Sequence, residues 1–179
     1  MTYFLATLII LVLVTAVWIY NRLVRNRNLV NEAWAGIDVQ LQKRAELVPN
    51  LVATVKGYTR HESSVLEDVA QIRAASQAVD DRARAESVLS RSLGRLFALA
   101  EDYPDLKASE GFQQLHASLV EIEDHLQYAR RYYNGAVRNN NNMVESFPSN
   151  IIAGIFRFTE AEFFEIELAS QRVAPDVEL

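Results

Sequence analysis

Hydrophobic positions are distributed in two different ways along this 179-residue chain. Thr2 to Tyr20 reads TYFLATLIILVLVTAVWIY, 19 residues without a charge. As a helix this stretch covers roughly 28 Å, close to the hydrocarbon thickness of a bilayer. Tyr3 lies at one end, with Trp18 and Tyr20 at the other, where interfacial aromatics are expected. Beyond it, apolar residues recur in alternating steps of four and three: Val30, Trp34, Ile37, Leu41, Arg44, Val48, Leu51, Val55, Tyr58, Glu62, Val65, Val69 and Ile72. Eleven of these 13 positions are apolar, a heptad seam that strand alternation cannot produce. Arg44 and Glu62 interrupt it; the simpler expectation is that both snorkel outward, the alternative that they tune register or partner choice.

A second seam runs through Phe112, Leu115, Leu119, Ile122, Leu126, Ala129, Tyr133, Ala136, Asn140, Met143 and Phe147. Between the two lies a shorter apolar set, Leu89, Leu93, Leu96 and Ala100. Asp80 and Asp81 supply start signals for this middle helix, and Tyr103-Pro104-Asp105 ends it. Pro49 leaves the heptad phase intact, so the spacing predicts a kinked, continuing helix, with two separate helices as the alternative. The run Asn139 to Asn142 is expected to fray the last long helix before Phe147-Pro148 turns the chain. The apolar set from Ile151 to Phe164 is expected to fold back as a cap, with a membrane-surface or partner-binding helix as the alternative.

The expected architecture is therefore all-α: an N-terminal transmembrane helix, then a long antiparallel three-helix (to four-helix) bundle. Its divisions are a membrane anchor over 1–21, a bundle over 22–147 and a C-terminal cap and tail over 148–179. A cleaved signal peptide is the rival for the anchor, but no Lys or Arg precedes the apolar run and its downstream flank is bulky. Arg22, Arg25 and Arg27 follow the run, so the positive-inside rule puts the N-terminus outside and the bundle in the cytoplasm. A periplasmic bundle is the alternative.

Composition narrows the chemistry. There is no cysteine, which excludes disulfides, thiolate metal sites and cysteine nucleophiles. Eighteen basic against 23 acidic residues give a net charge of −5, which argues against nucleic acid as a partner. His61-Glu62 begins like a zinc-protease helix, but Val65 stands where the second histidine belongs. His116 and His125 are nine apart, too far for a zinc pair on one helix. Glu121, Glu123 and Asp124 form a carboxylate cluster that reads as solvated surface. No catalytic residue, cofactor or metal ligand is predicted.

The stretch YNRLVRNRNLVNEAWAGIDVQLQKRAELVPNLVATVKGYTRHE, Tyr20 to Glu62, resembles the LemA family closely. AEDYPDLKASEGFQQL, ARRYYNGAVRNNNNMVESFPSNIIAGIF and a final RVAPDV follow in the family's order, so the resemblance covers almost the whole chain. One departure is Asn140, where the family more often has tyrosine. The resemblance implies a bacterial membrane-anchored helical bundle with no established enzymatic activity. Some relatives are encoded near a membrane zinc metalloprotease, an association with envelope quality control. Asp38, Arg44, Asn50, Lys56, His61, Asn134 and Arg138 match polar positions of the family signature and are the candidate partner surface. Trp34, Ile37 and Leu41 join them, because the part of the first helix near the membrane is expected to outrun the shorter middle helix and expose an apolar stripe for self-association. The expected function is a non-catalytic membrane-anchored scaffold, a homo-oligomer with the bilayer and an envelope protein such as a metalloprotease as partners. An enzyme or metal-dependent module with its site between helices is the alternative.

Overall fold

A computed structural model describes residues 1–58 and 82–164, and all secondary structure among them is helical. The elements are α1 (Thr2–Tyr58), α2 (Arg82–Ala100), α3 (Pro104–Lys107), α4 (Glu110–Glu145) and α5 (Ser149–Ile155). The apolar stretch and the first heptad seam as far as Tyr58 belong to one unbroken helix, which passes through Pro49 and leaves that proline exposed. The predicted start signals Asp80 and Asp81, and the seam beyond Tyr58, lie outside the described residues.

The chain divides into two compact units. The first comprises Met1–Val39 with Leu126–Phe164, the second the described part of Gln40–His125. The second unit is an apolar core drawn from every helix it contains. Val48, Leu51, Val52 and Val55 of α1 meet Leu89, Leu93, Leu96 and Ala100 of α2, Leu106 of α3, and Phe112 and Leu119 of α4. All four predicted positions of the middle helix are buried there, because a three-four repeat sets them on one face. The turn α3, absent from the sequence reading, starts with Pro104 in its first turn, where a missing N–H costs nothing. Its Leu106 plugs the core.

The first unit is built differently. In α1 the polar groups of the apolar stretch are satisfied locally: the Thr7 hydroxyl donates to the Tyr3 carbonyl at 2.9 Å and that of Thr15 to Leu11 at 2.8 Å. From Tyr3 to Trp18 its large apolar side chains, Ile9 and Leu13 among them, are exposed. The Trp34–Tyr133 and Asn26–Asn139 contacts show that α1 and α4 run antiparallel here. Ile19, Leu23 and Ala153 form a small core, with Met143, Val144, Ile152 and Phe158 packed on it.

After a cis Phe147–Pro148 bond, α5 makes two turns and ends in a Schellman arrangement. The Phe158 N–H donates to the Ala153 carbonyl at 2.9 Å and the Arg157 N–H to Gly154 at 3.4 Å, with Arg157 in the left-handed region at φ 56°. Glycine usually fills that place; a side chain there costs about 1–2 kcal/mol.

Three expectations are corrected. The asparagine run does not fray its helix, which continues to Glu145; two of its amides, those of Asn140 and Asn141, have the partners described below. Phe147, the last position of the second seam, is 80% exposed, since the turn at Pro148 carries it off the helix face. Ile37 is wholly buried, and Trp34 and Leu41 are half-buried, so the stripe expected to stand free for self-association is packed within the chain.

Candidate functional site

The clearest polar constellation lies along one face of α4 in the first unit, and of the polar residues singled out by sequence it includes Asn134. Asn134 and Asn141 are seven residues apart, two helical turns, which puts them on the same face about 10.5 Å apart. Each carboxamide offers a donor and an acceptor side by side, the same pair that a peptide backbone offers. Asn141 Nδ2 donates to the Ala161 carbonyl and its Oδ1 accepts the Ala161 N–H, both at 2.9 Å. Asn134 Nδ2 donates to the Phe164 carbonyl at 3.2 Å and its Oδ1 accepts the Phe164 N–H at 2.9 Å.

Ala161 and Phe164 are three residues apart, so they match the helix repeat only if the chain between them is extended, at about 3.4 Å per residue. Asn140, buried, donates to the Thr159 carbonyl at 3.3 Å and to Asn141 Oδ1 at 3.1 Å. The Tyr133 hydroxyl donates to the Glu162 carbonyl at 2.9 Å. The result is a strap, residues 159–164, held antiparallel to α4 by side-chain amides in place of a neighbouring strand.

Aromatic packing closes the far end of the strap. The Trp34 ring lies 5.3 Å from that of Tyr133 and 5.9 Å from that of Phe164, while the Arg130 guanidinium sits 5.2 Å over Phe164. Burial, and after it the Glu162 carboxylate, raises the Tyr133 hydroxyl above its usual pKa. The neutral donor form that the strap needs is thereby favoured.

Trp34 and Asn134 of the predicted set therefore meet at Phe164. The others do not join them. Arg44 does not snorkel: it is 4% exposed, and its Nη1 lies 2.9 Å from Glu123 Oε2 in the second unit. That pairing also removes Glu123 from the solvated cluster, because the charge buried at Arg44 needs a counter-charge. Glu121 and Asp124 stay exposed, Glu121 lying 3.6 Å from His125. Asp38 is half-buried; Asn50, Lys56 and Arg138 are exposed; His61 lies outside the described residues. His116 packs its ring 4.3 Å from Phe97, beside a shallow pocket lined by Ala100, Lys107 and Phe112. Among the described residues no group of three or more His, Cys, Asp or Glu is placed to hold a metal.

Sequence reasoning missed Asn140, Asn141, Tyr133 and Phe164 as parts of one device, and Glu123 as partner of Arg44. The available signal was the seven-residue step from Asn134 to Asn141 facing a segment with no helical period.

Comparison with known proteins relates the chain to a family. The LemA family model matches residues 33–179. Protein LemA of Metamycoplasma hominis is 24% identical over 164 residues, 85% of this chain and 75% of its own length. Magnetosome proteins MamQ 1 and MamQ 2 of Paramagnetospirillum magneticum are each 35% identical over 81 residues, 45% of this chain. The match spans only 30% of the length of those MamQ proteins.

Proposed function

The chain belongs to the LemA family, and from that premise we propose that it is a non-catalytic, single-pass membrane-anchored scaffold. The observation that carries this reading is the continuity of α1 from Thr2 to Tyr58. Residues suited to lipid and residues that form the cores of both units belong to one helix, so the folded part is tethered without a linker. Satisfied threonine hydroxyls within the apolar stretch suit a medium with no water to bond them. Neither the family's name nor those of the relatives is that of an enzyme.

In this reading the protein sits in the bacterial inner membrane with its N-terminus outside and its bundle in the cytoplasm, supported by Arg22, Arg25 and Arg27 after the span. Further copies of the chain and an envelope protein, a metalloprotease among the candidates, are its partners. Of the predicted contact residues, Asn50, Lys56 and Arg138 are exposed enough to serve. Tethering raises the local concentration of neighbouring copies, so weak contacts suffice for assembly.

Two measurements test the reading. The full chain should stay with membranes through alkaline carbonate extraction, and release into the supernatant would overturn the anchor. A C-terminal tag should resist protease in intact spheroplasts; cleavage from outside would move the bundle to the periplasm. A stoichiometric metal in purified protein, or hydrolysis abolished by one substitution, would replace the scaffold with an enzyme.

A further inference from the structure

The outward face of α5 carries large apolar side chains that are mostly exposed. Ile151 and Ile155, one turn apart on the same side, are 53% and 67% exposed, and Phe147 and Phe156 flank them at 80% and 56%. The opposite face of α5 is buried: Ala153 and Ile152 pack on Ile19 and Leu23 of α1. Those two positions bracket the end of the apolar stretch at Tyr20, within about 6 Å of helix. Tyr20 itself lies 4.7 Å from the Phe156 ring and 5.8 Å from that of Phe158. The packing therefore fixes α5 at the level where the anchor leaves the bilayer.

From this placement we infer a second membrane contact. The face formed by Phe147, Ile151, Ile155 and Phe156 enters the boundary between headgroups and acyl chains in the leaflet where the anchor ends. The inference rests on the reading of Thr2–Tyr20 as a membrane span. An interfacial helix buries its apolar face some 5–10 Å below the headgroups, a depth that a two-turn helix tied to Ile19 and Leu23 can reach.

Charge fits the same occupant. Arg22, Arg25, Arg27 and Arg157 are exposed at this level, against the exposed Glu145 at the end of α4. Of the strap's two acids, Glu160 lies near the level of Arg25 and leaves the four arginines in excess, whereas Glu162 lies farther away. The carbonyl of Glu162 is held by Tyr133, which packs on Trp34, roughly 21 Å along α1 from Tyr20. Glu160 stands between Thr159 and Ala161, held by Asn140 and Asn141. Arg157 occupies a left-handed position that favours glycine, and at this level its guanidinium can meet lipid phosphate. A second copy of the chain is the competing occupant of the apolar face.

The absence of cysteine makes the test direct, since each introduced cysteine is a unique labelling site. The full chain in liposomes of zwitterionic and anionic phospholipid would carry an environment-sensitive fluorophore at Ile151→Cys, Ile155→Cys, Leu11→Cys or Tyr128→Cys. Leu11 reports the span, and Tyr128 is an exposed α4 position distant from it. Lipids bearing a spin label at shallow or deep acyl positions are the quenchers.

Shallow-labelled lipid should quench the probes at 151 and 155 at least threefold more than the probe at 128, with Leu11 quenched most by the deep label. Leu11 quenched while 151 and 155 behave like 128 overturns the inference and leaves the anchor standing. A blue-shifted but unquenched probe at 151 or 155 assigns the face to a second copy and also overturns it. If Leu11 is not quenched, the anchor reading fails and this inference with it. Circular dichroism of each labelled variant confirms that helicity is kept.

Discussion

The two units solve the same problem, covering the apolar seam of α1, with different materials. The second unit uses leucine and valine from three long helices and admits the charged pair Arg44–Glu123. The first unit lacks α2 and covers its seam with α4 and a non-helical strap whose main chain is held by asparagine. Burial in the second is non-directional and tolerates small shifts. In the first it depends on hydrogen-bond geometry, so position matters more than volume.

The largest effect expected from breaking this contrast is in the second unit. Leu96→Ala removes a fully buried side chain and should cost about 3–4 kcal/mol, read as a fall in denaturation midpoint. Hydrogen exchange should rise across α2 while the amides of Ala161 and Phe164 keep their protection. Next comes Asn134→Ala with Asn141→Ala, which removes five hydrogen bonds, four of them to the strap, at about 0.5–1 kcal/mol each, some recovered by water. The loss should be confined to the strap and appear as fast exchange and proteolytic cutting at 159–164, with α2 unchanged. Global unfolding by this pair would erase the distinction between the units.

How much of this was legible follows the same division. The heptad seams named Leu89, Leu93, Leu96 and Ala100, and ten of the eleven second-seam positions are buried or half-buried, because apolar periodicity is a one-dimensional record of burial. The strap left no such record. Its register is set by amides that bind main-chain atoms, and a main chain looks the same whatever its sequence. Asn139 to Asn142 thus read as a weak helix, when two of the four were partners for a distant segment. Arg44 misled for a related reason: its partner Glu123 lies 79 positions away, and heptad phase says nothing about which charge turns inward.

Smaller changes sharpen the comparison. Arg44→Ala strands Glu123, which is 31% exposed by side chain and so partly solvated, and should cost about 2 kcal/mol rather than the 3–5 of a fully buried pair. Arg44→Met with Glu123→Leu should recover most of it, as chemical denaturation of the two variants would show. Tyr133→Phe is expected to cost about 1 kcal/mol. It should also flatten an alkaline limb. A hydroxyl whose folded pKa is raised contributes stability fully below its unfolded pKa, near 10, and loses it as pH climbs past that value. Thermal melts at pH 9 and 10.5 should therefore differ more for the parent protein than for the variant.

The paired amides of Asn134 and Asn141 impose an unusual constraint on sequence change. Within the strap they bond the N–H and C=O of Ala161 and Phe164, so the exposed side chains at 160, 162 and 163 can be exchanged freely without loosening that grip. Length is another matter. Adding or deleting one residue between 161 and 164 moves the main chain by about 3.4 Å, and no single shift can then satisfy both amides. Among homologues this segment should drift in spelling while its letter count stays fixed, the reverse of an ordinary surface loop.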